Sequence, residues 1–218
     1  MPLMSDLTKE IRQYLSHHPE LQPCVPQIVQ TTRLLHETYA SDRQVLLAGN
    51  GGSAADAEHW AGELLKGFYL ERSLSTDDRK SLSPTLADKL QGGLRTIPLT
   101  SFPILRTAVL NDQGPDMDFA QLVWALGRPR DAFVGISTSG NSKNLLLAAE
   151  AAKARGMTVI ALTGKEGGQL KKYADAWIGV PAARTHYIQE MHLAIYHAIS
   201  LVLEKQFFDL SNAVSSWQ

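Results

Sequence analysis

Ala132-Phe133-Val134-Gly135-Ile136, followed at once by Ser137-Thr138-Ser139-Gly140-Asn141-Ser142, is the stretch on which the fold turns. Its first part is a short apolar run of the kind a strand buried on both faces requires. Its second part carries four hydroxyls and a glycine, and a helical pattern opens at Lys143. A helix start leaves backbone N–H groups without partners and carries partial positive charge. With hydroxyls added, such a junction can cradle a phosphate. Upstream, Val45-Leu46-Leu47-Ala48-Gly49 runs into Asn50-Gly51-Gly52-Ser53 in the same way. Two junctions of this kind place a phosphorylated ligand at one edge of a sheet.

Outward from these junctions, strands and helices alternate. Apolar runs predict strands at 45–48, 95–99, 132–136, 157–162 and 176–180. Helical spacing predicts helices at 5–17, 25–40, 53–69, 101–110, 116–126, 141–155 and 186–207, and a short one at 168–173. Ser53 is the expected cap of the third. Strands separated by helices, without hairpin turns, mean right-handed crossovers and a parallel sheet covered on both faces. The predicted fold class is therefore α/β, a three-layer α-β-α sandwich. Residues 71–94 break the rhythm and are longer than the usual connection. They read as a surface excursion with one short helix from Pro84. The expected organisation is a single domain over 1–218, with a helical region at 1–41, a core at 42–208 and the insertion at 71–94.

The 218 residues suffice for a substantial core. A net charge of −1 supplies no field for nucleic acid or an anionic membrane. No apolar run reaches the ~18 residues of a membrane span, and no secretory core opens the chain. The lone Cys24 excludes an intrachain disulfide. A cytoplasmic protein is expected.

The loops also exclude nucleotide chemistry of the common kinds. Neither carries the Gly-Lys-Ser/Thr of a phosphate-binding nucleotide loop, nor the Gly-x-Gly-x-x-Gly of a dinucleotide site. A phosphorylated small molecule fits better. His59 and Glu63, four apart on a helix, share a face. They suit a divalent metal, acid–base chemistry, or a plain surface pair. Gln189, Glu190, His192 and His197 lie on the terminal helix. Gln189 and His197 are separated by about 12 Å along its axis, a long span for two ligands of one ion unless long side chains bridge it or different subunits supply them. Trp60, Trp124 and Trp177 read as core or subunit-contact residues. His17, His18 and Cys24 need no role, and His192 suits packing or support of a neighbouring ligand.

Taken together, these stretches resemble the sugar isomerase (SIS) domain proteins, and among them the phosphoheptose isomerases. The resemblance rests on Gly49 to Ala57 followed by His59 and Glu63, and on Asn111-Asp112. It rests equally on Gly135 to Ser142, Leu162-Thr163-Gly164, and Ile188 to His192 followed by His197. It implies a flavodoxin-like SIS fold and aldose–ketose isomerisation of sedoheptulose 7-phosphate. It implies substrate contacts from Asn50, Gly51, Gly52, Ser53, Glu63, Asn111, Asp112, Ser137, Thr138, Ser139, Ser142 and Gln189. His59, Glu63, Gln189 and His197 match the zinc ligands, and Glu63 and His197 the catalytic acid–base pair. A homotetramer and heptose synthesis for a surface glycan such as lipopolysaccharide are further implications. Departures are Gly67 where an arginine is usual, His186-Tyr187-Ile188 before Gln189, and the long excursion. The alternatives are an isomerase of another phosphosugar and a non-catalytic SIS protein that binds a phosphosugar or a partner.

Overall fold

The computed structural model describes residues 4–209. Five parallel strands form one sheet: β1 (Val45–Gly49), β2 (Thr96–Pro98), β3 (Ala132–Ser137), β4 (Thr158–Gly164) and β5 (Ala176–Val180). Their spatial order is β2-β1-β3-β4-β5. The central strands β1 and β3 are buried at every residue, as their unbroken apolar sequences demand. At one edge, β2 is only three residues long and contains Pro98. An edge strand tolerates a residue that cannot donate to the ladder.

Alternate side chains along the strands feed two cores. Val45, Leu47, Val134 and Ile136 point into one. That layer is built from α1 (Met4–Tyr14), α2 (Val25–Ala40), α3 (Gly52–Leu65) and α9 (Thr185–Phe208). Leu46, Ala48 and Phe133 point into the other, against α7 (Asp118–Leu126) and α8 (Lys143–Ala154). The three-layer α/β sandwich is as the sequence predicts.

Several element boundaries differ from those expected. Ser53 is not a cap: Gly51 occupies that position, and Ser53 lies buried in the first turn of α3. The same helix ends at Leu65, because Lys66 turns extended. The excursion holds two short helices, α4 (Thr76–Lys80) and α5 (Pro84–Lys89). Ser75 and Ser83 cap them by accepting from Asp78 N–H and Leu86 N–H. The helix expected from 101 starts later, as α6 (Pro103–Asp112), behind a 3₁₀ turn at Leu99–Ser101. The segment at 168–173 shortens to a 3₁₀ turn, Leu170–Lys172. Trp60 is fully buried and stacks on Tyr196, whereas Trp124 is exposed beneath the Arg155 guanidinium. Among the described residues, no helix is long and apolar enough to cross a membrane.

Strand order reverses direction between β1 and β3. In open parallel sheets the crevice beyond the strand ends at such a switch point is where ligands sit. Both hydroxyl- and glycine-bearing loops leave the sheet there.

Candidate active site

The serine loop between β3 and α8 is held by its own atoms. Ser137 Oγ accepts from the Gly140 N–H at 3.1 Å and lies 3.2 Å from Ser142 Oγ. Ser139 Oγ accepts from the Asn141 N–H at 3.1 Å. Asn141 Oδ1 in turn accepts from the Gln169 N–H at 3.0 Å, which ties the loop to the one after β4. Gly140 has φ +65°, and a Cβ there would overlap the Gly167 carbonyl. Only glycine supplies both the left-handed backbone and the close approach. The sequence singled out Gly140 but not its counterparts Gly167 and Gly168, which pack against it from a distant loop.

A network joins the two junctions. Asn50 and Asn144 exchange amide hydrogen bonds at 2.9 and 3.1 Å. Asn144 also donates to Asp118 Oδ1 at 3.2 Å, and Arg106 Nε donates to Asp118 Oδ2 at 2.8 Å. Asp118 is buried, so these two donors are what keep its charge tolerable. Asn144, Asp118 and Arg106 were not among the expected site residues. Asn144 falls two residues beyond the serine stretch, and its meeting with Asp118 depends on the packing of α7 against α8. Asn111 and Asp112 end α6, exposed and hydrogen-bonded to each other at 2.8 Å. Lys143 pairs with Asp116 at 2.8 Å, which holds the following loop beside the start of α8.

The second cluster lies on α3 and α9. Glu63 is 6% exposed, with His59 Nε2 at 3.2 Å and His197 Nε2 at 2.9 Å from its Oε1. These approaches are not aligned as hydrogen bonds, and both Glu63 oxygens and His197 Nε2 are buried without a hydrogen-bond partner. Such groups are costly unless something satisfies them. Candidate ligand atoms of His59, Glu63 and His197 lie within 4.8 Å of one another. Two imidazoles and a carboxylate are the donor set of a catalytic zinc site with an open position. The residues therefore fit a divalent ion. A hollow of about 350 Å³ opens beside them, lined by Glu58, His59, Gly62, Glu63, Lys66 and Phe68.

Supporting groups were not foreseen. The Tyr196 hydroxyl lies 3.0 Å from His59 Nδ1, which leaves Nε2 toward Glu63. Burial pushes the nearby Asp56 carboxyl up to about 6, against the opposing pull of His59 and the Tyr196 hydroxyl. Burial also raises the Tyr196 phenol. His192, fully buried, is pushed down to about 4 by desolvation, although its Nε2 lies 3.2 Å from the Thr163 carbonyl. It packs in the core and faces neither cluster's ligand atoms.

The structure brings together three of the four residues that match zinc ligands. The Gln189 amide instead lies against Gly52, so tightly that a Cβ there would overlap it. From Gly52 to Glu63 is about 16 Å along α3 at 1.5 Å per residue. The serine loop sits at the carboxyl edge of the sheet, and the His59–Glu63–His197 cluster is carried toward the opposite edge. Within one chain they do not face each other across a sugar phosphate.

The parallel sheet and the hydroxyl-rich loop at its switch point make this an SIS-domain protein, and the SIS domain family model matches residues 108–204. The chain is 37% identical over 200 residues to a phosphoheptose isomerase of Helicobacter pylori, covering 90% of this chain and 94% of that one. The solved phosphoheptose isomerase of Neisseria gonorrhoeae is 35% identical, with a TM-score of 0.69 over 93% of both chains. That of Francisella tularensis is 32% identical, with a TM-score of 0.71 over 83% of this chain and 86% of its own. The chain belongs to the phosphoheptose isomerase family.

Proposed function

We propose that this protein interconverts sedoheptulose 7-phosphate and D-glycero-D-manno-heptose 7-phosphate by proton transfer through an enediol. The observation that carries the reading is the buried Glu63 carboxylate beside two imidazoles, in a chain of this family. Ser137, Thr138, Ser139 and Ser142 hold the phosphate at the start of α8. Asn50, Gly51, Gly52, Ser53, Asn111, Asp112 and Gln189 line the sugar at the same edge of the sheet. Binding energy from the remote phosphate orients the reacting carbons. Glu63 removes the proton from C1 of the ketose and returns it to C2, and His197 moves the proton between the two oxygens. His59, Glu63 and His197 would hold a divalent ion, zinc by donor type, which would supply Lewis-acid polarisation of the carbonyl and stabilisation of the negative charge developing on its oxygen. Gln189 is assigned to the substrate, since its amide lies with Gly52 and away from the three donors.

The separation of the two clusters carries a second element of the reading. The phosphate loop of one copy works with Glu63 and His197 of another, within a homotetramer of single-domain chains. The chain acts in the cytoplasm, and its product suits surface-glycan synthesis. The direct test is incubation with sedoheptulose 7-phosphate, with and without zinc, following aldose formation. Turnover that is lost to a chelator and restored by zinc is expected. A folded, zinc-loaded oligomer without turnover would overturn the assignment.

A further inference from the structure

Two turns beyond His197 on α9, Glu204 is buried at 1% exposure. Its carboxylate accepts the backbone N–H groups of Phe68, Tyr69 and Leu70 at 2.8, 2.9 and 2.9 Å. It also accepts from Arg72 Nε at 2.8 Å. The Arg72 guanidinium, itself buried, reaches back to the end of α3 and donates to the carbonyls of Leu64 and Glu63, each at 2.8 Å. Its flat face lies 4.7 Å from the Phe208 ring centroid. Burial pushes the Glu204 carboxyl up, but its four donors outweigh burial and leave it below the usual carboxylate range.

These contacts have a direction. Arg72 grips the backbone of Glu63 itself. Glu204 grips the turn that follows, whose Phe68 ring sits 5.3 Å from the His197 ring. One ion pair thus ties the end of α3 to α9 where each supplies one member of the Glu63–His197 pair. Capping three consecutive N–H groups with one carboxylate makes the turn rigid, and a rigid turn holds Phe68 as a cover.

We infer that Arg72 and Glu204 are positioning residues: they set the Glu63–His197 geometry and hold Phe68 over the His197 imidazole. The inference rests on the isomerase reading, from which Glu63 and His197 take their roles. The clamp's hydrogen bonds go to the 63–72 segment and none to the serine loop that holds the phosphate, so loosening it lowers kcat and spares KM.

The test compares wild type, Phe68→Ala, Phe68→Leu and Glu204→Gln on sedoheptulose 7-phosphate, well below each melting midpoint. Phe68 is partly exposed, so Phe68→Ala opens the cover without breaking the buried pair. A fall in kcat of about tenfold with KM within about twofold is expected for Phe68→Ala, with substantial recovery in Phe68→Leu. Glu204→Gln gives the same split and, in amide exchange, faster exchange at residues 68–70. Wild-type kcat in folded Phe68→Ala and Glu204→Gln overturns the inference, as does a rise in KM that accounts for the whole loss. If Glu204→Gln does not fold, Phe68→Ala and its leucine rescue decide alone. Absence of wild-type turnover would instead overturn the isomerase reading, a separate outcome.

Discussion

If the reacting centre is divided between copies, two crippled chains will repair each other. Ser139→Asp disables the phosphate loop alone. Ser139 is exposed, and a carboxylate there can still accept the Asn141 N–H that Ser139 Oγ accepts now. It repels a phosphate dianion through its charge. Glu63→Gln disables the proton transfer and keeps the side-chain volume. Each variant alone loses turnover by a factor of about 10²–10⁴, the usual contribution of a positioned acid–base group or a lost anion site. Now unfold both, mix them in equal amounts and refold. Each site draws its loop from one copy and its carboxylate from another. Half the loops and half the carboxylates are intact, so about a quarter of sites regain both, given random assembly of a symmetric oligomer. A site built within one chain regains none. The assay is turnover of sedoheptulose 7-phosphate per mole of chain, with the mixture of folded, unexchanged oligomers as control. Recovery near a quarter supports the divided site. A refolded mixed oligomer with only the sum of the two parental activities refutes it.

Two further expectations concern stability. Gly140→Ala forces a side chain into a left-handed backbone and into the Gly167 carbonyl, so a loss of about 2–4 kcal/mol is expected; a melting midpoint within a degree or two of wild type would show that the two loops can separate freely. His192 is fully buried, with a folded pKa of about 4 against an ordinary value of 6.5. Between those values the unfolded chain binds the extra proton. The stability this group contributes is therefore whole above pH 6.5 and is lost as pH falls toward 4, about 3 kcal/mol in all. Asp56, pushed up to about 6, works in the opposite sense below that pH. The measurement is consequently a difference: urea midpoints of wild type and His192→Gln at pH 7 and pH 4.5. An equal acid loss in both removes His192 from the account.

Much of the fold was legible because parallel strands buried on both faces leave unbroken apolar runs such as Val45 to Ala48. The helices between them then leave little choice of topology. Legibility stopped where a residue's partner comes from elsewhere in the chain. Ser53 has the right chemistry for a cap, yet the turn at Gly51 starts the helix earlier, at Gly52, and the hydroxyl is buried within its first turn. The helix at Thr76–Lys80 is short and wholly polar, so no periodicity marks it. Of the site, both loops and all three of His59, Glu63 and His197 were visible as motifs. Asn144, Asp118, Arg72 and Glu204 were not. Each is an ordinary polar residue whose meaning comes from a partner across the crossover, as with Glu204 and a turn more than a hundred residues earlier.

The distance between loop and carboxylate also has a reading in the surface of the chain. Scattered apolar side chains on a surface need no explanation, but contiguous ones do. Leu65 and Tyr69 are exposed beside Glu63, with Tyr69 at 81%. At the other edge of the sheet, Ile104, Leu105 and Leu110 are exposed on α6, the helix that ends in Asn111-Asp112, with Ile104 at 85%. Both halves of the proposed reacting centre are thus flanked by uncovered apolar residues on the same chain. An assembly that set the α3–α9 end of one copy against the carboxyl edge of another would bury both groups. The same contact would bring Glu63 and His197 to the phosphate loop. Assembly and catalysis then depend on one contact, so a charge at Tyr69 or Ile104 should lower both together. Sedimentation and turnover measured on Ile104→Lys test that coupling, and a monomer with full activity would break it.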